Sequence, residues 1–231
     1  MSLSRSRAAG YWRRFTRTVA PSATNVIITI TLLVFLAQLI FRDTVTGALQ
    51  YAGAYSMPSL GAPFEPWRML TVALVHSPGF ILHVFFNMLA LFMFGPQLEA
   101  MIGKWRFVAL YVLSTLGGSV AVLYLANPLQ PVVGASGAIF GLLGAFFVIA
   151  RKSGANTTGL VVMIALNLAI GFYVGTVSWQ AHIGGLITGG VVAFVLTRTP
   201  RRTQLQLQRG LLALVTAVLV IFSLLPLLLG R

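Results

Sequence analysis

The sequence contains no cysteine and only three acidic residues in a chain of 231 residues. The lack of thiols excludes disulfides, thiol catalysis and cysteine-ligated metal sites. Charged residues make up 8% of the chain, against roughly 25% in an ordinary soluble domain. Hydrophobic residues make up 58%, more apolar surface than a water-soluble fold of this size can hide. The composition excludes an ordinary soluble enzyme and a disordered chain, and it indicates an all-α polytopic membrane protein.

Long apolar runs divide the chain into seven candidate membrane spans. A helix needs ~20 apolar residues to cross the hydrocarbon core, with a range of roughly 17–25. The predicted spans are Asn25–Phe41, Phe80–Leu98, Trp105–Ala126, Ser136–Ala150, Thr158–Tyr173, Ser178–Thr197 and Gly210–Leu229. The connection Arg42–Gly79 is too long for a simple turn, so we expect it to pack at the membrane interface.

The positions of the charges predict how these spans are oriented. Sixteen basic residues against three acidic ones give a formal net charge of +13. In a soluble protein this excess would suggest nucleic acid, but thirteen of the sixteen fall on alternate connections, on one side of the membrane. The positive-inside rule makes that side cytoplasmic. We therefore expect a cytoplasmic N-terminus, an outside C-terminus and no nucleic-acid partner.

The chain accordingly divides into four predicted segments. Residues 1–23 form a basic cytoplasmic tail, which anionic lipid headgroups would attract. Residues 24–198 form a six-helix core, residues 199–209 a cytoplasmic linker, and residues 210–231 an additional transmembrane helix.

Polar side chains inside spans are rare and costly, which makes each of them a functional candidate. His83 and Asn87 lie near the start of the second span, Ser136 begins the fourth, and His182 lies near the start of the sixth. The charge pattern predicts that all three spans begin at the outer face of the membrane. The fourth is short, since the fifteen steps from Ser136 to Arg151 cover only ~22 Å of a ~30 Å core. We therefore expect a water-filled pocket near the outer face.

These residue types suit nucleophilic catalysis. A serine needs a base to become a nucleophile, and histidine is the usual base. The N-terminus of a helix supplies unpaired N–H groups that can stabilise an oxyanion. Ser136 lies at such a helix end beside Gly134 and Gly137, which allow close approach of backbone and substrate. His83 and Asn87 are four residues apart and share one helix face.

No acidic residue is available at the predicted depth of this group. Asp43 and Glu65 fall in the outer connection and Glu99 on the cytoplasmic side, so we expect a Ser-His dyad and not a triad. Each residue also has a structural interpretation, because polar groups and small residues such as Gly185 and Gly189 pack membrane helices. The pattern alone leaves a hydrolase and a transporter open, although the chain has no inverted repeat that would favour transport.

Four motifs, taken in order, resemble those of rhomboid intramembrane serine proteases. They are Trp67-Arg68 for the W-R pair of the first outer loop, His83-Val84-Phe85-Phe86-Asn87 for H-x-x-x-N, Gly134-Ala135-Ser136-Gly137 for G-x-S-G, and Ala181-His182 with Gly185 and Gly189 for A-H-x-x-G-x-x-x-G. The match covers roughly Asn25–Thr197. The resemblance implies a rhomboid-like six-helix core, and the seventh span is similar to the six-plus-one form of the family.

The resemblance also implies a role for each residue. Ser136 would be the nucleophile and His182 the general base. The Ser136 backbone N–H, His83 and Asn87 would form the oxyanion hole. Supporting positions would be Trp67, Arg68, Gly134, Gly137, Phe140, Gly185 and Gly189. Phe140 departs from a tyrosine common in the family, and we expect its ring still to position the histidine.

The same resemblance implies how such an enzyme would act. We expect it to cleave single-pass membrane proteins near the outer face of a bacterial plasma membrane, without a cofactor or metal. The loop Val174–Val177 would cap the site, and the fifth span would act as a lateral gate. The alternative is a catalytically inactive rhomboid-like protein that binds membrane clients. The oligomeric state stays open.

Overall fold

The computed structural model of the protein describes residues 22–173 and 177–230. Over these residues α-helix dominates, and the β-type pairing is one isolated antiparallel bridge between Tyr51 and Val132. The helices are α1 (Ala23–Ile40), α2 (Arg42–Leu49), α3 (Arg68–Thr71), α4 (Ile81–Ile102), α5 (Lys104–Leu125), α6 (Ser136–Lys152), α7 (Thr158–Tyr173), α8 (Trp179–Arg198) and α9 (Leu205–Leu228). The predicted all-α fold class is confirmed. Residues 1–21 of the predicted basic tail lie outside the described residues.

Five of these helices, α1, α4, α5, α8 and α9, are long and apolar enough to cross a membrane. The predicted fourth and fifth spans correspond to shorter helices, α6 with 17 residues and α7 with 16. At 1.5 Å per residue α6 is ~25 Å long, short of the ~30 Å hydrocarbon core. We call the end of the bundle with Ser136 the site end, and the end with Arg151 and Arg198 the basic end.

The most extensive contact between described helices joins α6 and α8. Glycines make this contact possible, because a Cβ at Gly185 would collide with the Gly137 carbonyl and one at Gly189 with the Gly141 carbonyl. Helix α5 packs against the same pair, again through glycines. In lipid the burial of apolar side chains contributes little to helix association, so such close backbone packing stabilises the bundle.

Glu99 attaches α1 to the bundle at the basic end. Its carboxylate accepts hydrogen bonds from the backbone N–H groups of Ala23 (2.8 Å) and Thr24 (3.0 Å) and from the Thr24 hydroxyl (2.9 Å). The N–H groups are unpaired donors of the first turn of α1, where the helix dipole also favours a negative charge. Glu99 therefore has a structural role at the end of the bundle opposite Ser136.

The long connection between α1 and α4 is folded around Arg68. The guanidinium pairs with the Glu65 carboxylate, donates to the carbonyls of Gly47 and Gln50, and lies 4.1 Å from the centre of the Tyr55 ring. Arg68 is buried despite its charge, because these partners replace the water that it loses. The connection is thus a packed part of the fold and not an extended loop.

The seventh predicted span, α9, is attached to α5 near both ends. At the site end the Tyr124 hydroxyl donates to the Phe222 carbonyl at 2.7 Å. This carbonyl has no donor within its own helix, because Pro226, four residues later, has no N–H. At the basic end Arg106 Nε donates to Gln208 Oε1 at 2.8 Å.

Helix α9 begins at Leu205, whereas the sequence predicts a linker over 199–209 and a span from Gly210. The difference comes from Gln208, which is buried in the first turns of α9. Its amide donates to the Thr199 carbonyl at 2.8 Å and to the Thr199 hydroxyl at 2.9 Å. These bonds hold the start of α9 against the end of α8, and the connection shortens to residues 199–204.

The Tyr124–Phe222 hydrogen bond predicts a coupling that a double-mutant cycle can measure. Tyr124→Phe leaves the Phe222 carbonyl unsatisfied in an apolar surrounding, and we expect it to lower the free energy of unfolding in detergent micelles by about 1 kcal/mol. Pro226→Ala restores an N–H that can bond this carbonyl within α9. In the Pro226→Ala background the cost of Tyr124→Phe should therefore shrink, and an unchanged cost would contradict this account.

Candidate active site

A cavity of about 670 Å³ lies at the site end of the bundle. The first turns of α4, α6 and α8, the last turns of α5 and α7, and the loop before α6 surround it. Its wall includes His83, Gly134, Ser136, Gly137, Gly171, Phe172, Trp179 and Ala181. The sequence predicts a pocket at the starts of the second, fourth and sixth spans, which are α4, α6 and α8. Residues 174–176 of the predicted capping loop lie outside the described residues.

Ser136 reaches the cavity because the chain turns sharply at Gly134. Gly134 has a φ of 124°, a conformation that favours glycine. A Cβ at this position would lie 2.8 Å from His83 Nε2 and 3.8 Å from Ser136 Oγ. The glycine therefore leaves room between two polar atoms that border the same small space. Ser136 is also the first residue of α6, where backbone N–H groups have no partner within the helix.

His182 lies in the first turn of α8 and is 5% exposed. Its ring stacks on that of Phe140, with the centroids 4.1 Å apart and the planes 8° from parallel. Phe140 follows Ser136 by one turn, so the two side chains lie on the same face of α6. The glycine contact between α6 and α8 thus brings the imidazole to the helix face that carries the serine. The stack needs only the ring of residue 140 and no tyrosine hydroxyl.

Both ring nitrogens of His182 are buried, and neither makes a hydrogen bond to any residue that the structure describes. The Ser136–His182 hydrogen bond that a dyad needs is therefore not formed in this structure. Buried polar atoms without partners are uncommon in folded proteins. Hydrogen bonds between catalytic groups are often long or misaligned before a substrate binds. The fold places the two residues on adjoining elements and leaves the imidazole nitrogens free to bond.

His83 and Asn87 differ in how they relate to the cavity. His83 lines it, and its Nδ1 accepts a hydrogen bond from the Ser77 N–H at 3.4 Å. In a neutral imidazole this leaves the proton on Nε2, the atom beside Gly134, where it can be donated. Asn87 is absent from the cavity wall among the described residues, and its Nδ2 donates to the His83 carbonyl at 2.8 Å. The structure brings His83 to the serine, and Asn87 bonds to its own helix.

His76 contacts the candidate site, although it belongs to none of the four sequence motifs. It is fully buried, and its Nε2 accepts a hydrogen bond from the Ala135 N–H at 3.4 Å. Its ring packs edge-on against His83 with the centroids 5.1 Å apart. Burial lowers the pKa of His76 to about 3, and the neighbouring His83 adds to the shift. His76 therefore contacts both His83 and Ala135, the residue before Ser136.

Gln38 of α1 holds His76 in this position. Its amide nitrogen donates to the His76 carbonyl at 2.9 Å, and its oxygen accepts from the His76 N–H at 3.0 Å. A chain of hydrogen bonds thus runs from α1 through His76 to the residue before Ser136. The signal in the sequence is Gln38 itself, a strongly polar side chain in an otherwise apolar span.

His182 and Phe140 are absent from the cavity wall among the described residues, and so are the remaining predicted residues. Trp67 is 54% exposed on the connection before α4, and the Arg68 side chain is held within that connection. Gly185 and Gly189 form the contact with α6. Among the described residues no cluster of three histidine or carboxylate side chains forms a metal site.

Comparison with known proteins gives a consistent set of relatives. A family model described as Rhomboid domain matches residues 63–199, which contain α3 to α8. The chain is 39% identical to "Rhomboid protease GluP" of Bacillus subtilis and 35% identical to "Putative rhomboid protease YdcA" of the same organism. It is 40% identical to "RHOMBOID-like protein 5" of Arabidopsis thaliana.

These matches differ in how much of each protein they cover. The GluP match covers 76% of this chain and 35% of GluP, and the YdcA match covers 71% of this chain and 79% of YdcA. The match to the Arabidopsis protein covers 59% of this chain and 46% of that protein. The chain therefore spans most of YdcA but less than half of the other two relatives.

The buried His76 predicts a pH-dependent stability. Its pKa is about 3 in the folded protein and ~6.5 when unfolded, so below pH ~6.5 the unfolded state binds a proton that the folded state excludes. The stability conferred by the neutral ring is complete above that pH. It is lost as the pH falls toward 3, by about 1.4 kcal/mol per pH unit.

Unfolding measurements of the wild type and His76→Gln in the same detergent at pH 8 and pH 5 check this dependence. Between pH 8 and pH 5 the free energy of unfolding of the wild type should fall by about 2 kcal/mol more than that of His76→Gln. The comparison cancels the titration of His83 and His182, which both proteins share. Equal losses in the two proteins would contradict the assigned role.

Proposed function

The chain belongs to the rhomboid family of membrane proteins, and from this we propose that it is an intramembrane serine endopeptidase with a Ser136–His182 dyad. The observation that carries the proposal is the placement of Ser136. It begins α6 at the wall of a cavity, and His182 stacks on Phe140 one turn along the same helix. Serine, imidazole and free helix N–H groups are the components that acyl transfer needs.

In the proposed reaction His182 accepts the proton of the Ser136 hydroxyl while Oγ attacks the carbonyl carbon of a substrate peptide bond. The tetrahedral oxyanion accepts hydrogen bonds from the Ser136 backbone N–H and from His83 Nε2–H. His182 then gives its proton to the leaving amine, which breaks the C–N bond and leaves an acyl-enzyme. A water molecule, deprotonated by His182, hydrolyses that ester and restores the serine. The first step requires the Ser136–His182 hydrogen bond to form.

The distribution of carboxylates supports a dyad. Glu65 pairs with Arg68 and Glu99 accepts hydrogen bonds from the start of α1. Asp43 lies in the first turn of α2, outside the cavity wall. Among the described residues no carboxylate forms a hydrogen bond with His182, and the stacked ring of Phe140 supplies that restraint instead.

We propose that the substrates are single-pass membrane proteins, cut near the outer face of a bacterial plasma membrane. The protein would lie with its N-terminus in the cytoplasm and its C-terminus outside, with residues 24–198 as the catalytic core. A substrate helix must unwind locally to expose a peptide bond, and such backbone is tolerated in a water-filled cavity. Helix α7 is the proposed lateral gate. Among its described residues, only Ile164 and Gly171 are buried.

The dyad predicts that two single substitutions abolish cleavage. In liposomes with a single-span model substrate, Ser136→Ala and His182→Ala should each lower the cleavage rate by about 10⁴-fold or more, as loss of a nucleophile or its base does. Ser223→Ala is the matched control, since this serine lies on α9 and donates only to the Leu219 carbonyl in its own helix. Cleavage that persists in Ser136→Ala would contradict the proposal.

A fluorophosphonate probe separates the protease from the inactive client-binding alternative. An active serine should react covalently with the probe, and the label should be absent in Ser136→Ala. A folded wild type that binds single-span proteins without cleaving them and without reacting would favour the client-binding function.

The geometry further predicts unequal oxyanion donors. Removal of one such donor typically costs about 10²–10³ in rate. His83→Ala should approach this loss because Nε2 borders the cavity, whereas Asn87→Ala should cost less because its amide bonds to the His83 carbonyl. Turnover numbers of the two variants at saturating substrate check the ranking, and a greater loss for Asn87→Ala would reverse the assignment.

A further inference from the structure

A second cavity, of about 750 Å³, lies at the basic end of the bundle. The last turns of α6 and α8 and the connection to α9 form its wall. Four cationic side chains line it, from Arg151, Lys152, Arg198 and Arg201. We call this cavity the basic cleft. Neither the proposed proteolysis nor the packing of the core uses these four side chains.

The basic cleft lies at the ends of two helices that are in close contact before they reach it. A Cβ at Gly144 of α6 would collide with the Leu186 carbonyl of α8. At the last turns the small residues give way to long cationic side chains, Arg151 and Lys152 on α6 and Arg198 on α8, and these side chains line the cleft.

The positive charge of the basic cleft is not neutralised within the chain. Only three acidic residues occur in the whole sequence, and none of them lines the cleft. The Lys152 ammonium donates to the Thr197 carbonyl, and the Arg198 guanidinium lies 5.0 Å from the centre of the Phe194 ring. Four cations around one concave space favour an anion there, because their mutual repulsion falls when it binds.

The cleft also has an apolar side. Val148 and Phe194 contribute to its wall, and Phe194 is 53% exposed on a helix that crosses the membrane. The wall thus leads from the cations to the surface of the bundle that faces lipid. A ligand that matches both parts has a phosphate group and hydrocarbon chains. A free phosphate ion would use only the cations.

We propose that the basic cleft is a binding site for the headgroup of an anionic glycerophospholipid. The phosphate would lie among Arg151, Lys152, Arg198 and Arg201, and an acyl chain would run along Phe194. Basic pockets between membrane helices on the cytoplasmic side suit such headgroups, and the predicted orientation puts these cations on that side. The proposal is independent of proteolysis and rests on the predicted cytoplasmic position of this end.

Two matched double variants test the site in the full-length protein. Arg198→Gln/Arg201→Gln removes two charges from the cleft, and Arg202→Gln/Arg209→Gln removes two from the same segment outside its wall. Native mass spectrometry in a non-ionic detergent measures the binding of phosphatidylglycerol, with phosphatidylcholine as the neutral comparison. Each cleft charge should contribute about 5-fold to affinity, so the cleft variant should bind phosphatidylglycerol about 25-fold more weakly.

The expected result is preferential binding of phosphatidylglycerol that is lost in the cleft variant and kept in the control variant. Equal losses in both variants would show general surface attraction and overturn the proposal, as would equally tight binding of phosphatidylcholine. Displacement of the lipid by low millimolar inorganic phosphate would also overturn it, because the site would then be one for a free anion. Should the double variant fail to fold, Arg201→Gln alone should weaken binding about 5-fold.

Discussion

The close contact of α6 and α8 is the constraint on which the rest of the structure depends. Gly185 and Gly189 of α8 let its backbone touch α6, because a Cβ at these positions would lie 1.9 Å from the Gly137 carbonyl oxygen and 2.0 Å from the Gly141 carbonyl oxygen. This contact brings His182 to the helix face that carries Ser136. At the other end of the same two helices lies the basic cleft.

Individual polar bonds attach the outer helices to this centre. Glu99 and Gln38 hold the two ends of α1, and Tyr124 and Gln208 hold α9. In hydrocarbon an unpaired donor or acceptor is costly, so each bond stabilises one specific arrangement of helices. Glu65 and Glu99 are held in structural pairs and Asp43 lies in the first turn of α2, whereas the His182 ring is positioned by aromatic stacking on Phe140.

The candidate site is ordered on one side and unpaired on the other. Gly134, His83 and His76 form a network around the start of α6, supported by Gln38 from α1. His182 has a fixed ring plane but no hydrogen-bond partner among the described residues. The ordered side is the one on which an oxyanion would be stabilised, and the unpaired side is the one where a proton would move. Preorganised donors with an unpaired base are compatible with a nucleophile that engages its base only when substrate is bound.

Apolar runs and motif order by themselves predicted the helical membrane fold, the helix that carries each motif, and a pocket at the starts of α4, α6 and α8. Local chemistry is sufficient for these features, because a membrane span must be apolar and a polar side chain within it is costly unless it has a structural or functional role. Tertiary structure alone decided that α9 begins at Leu205, that Asn87 bonds to its own helix, and that His76 connects α1 to the serine loop. The four cations of the basic cleft belong to this second group, since only the packing of α6 against α8 gathers the ends of the two helices and the following connection around one space. Each of these depends on a contact between residues distant in the chain or on a choice between hydrogen-bond partners, which no local pattern encodes.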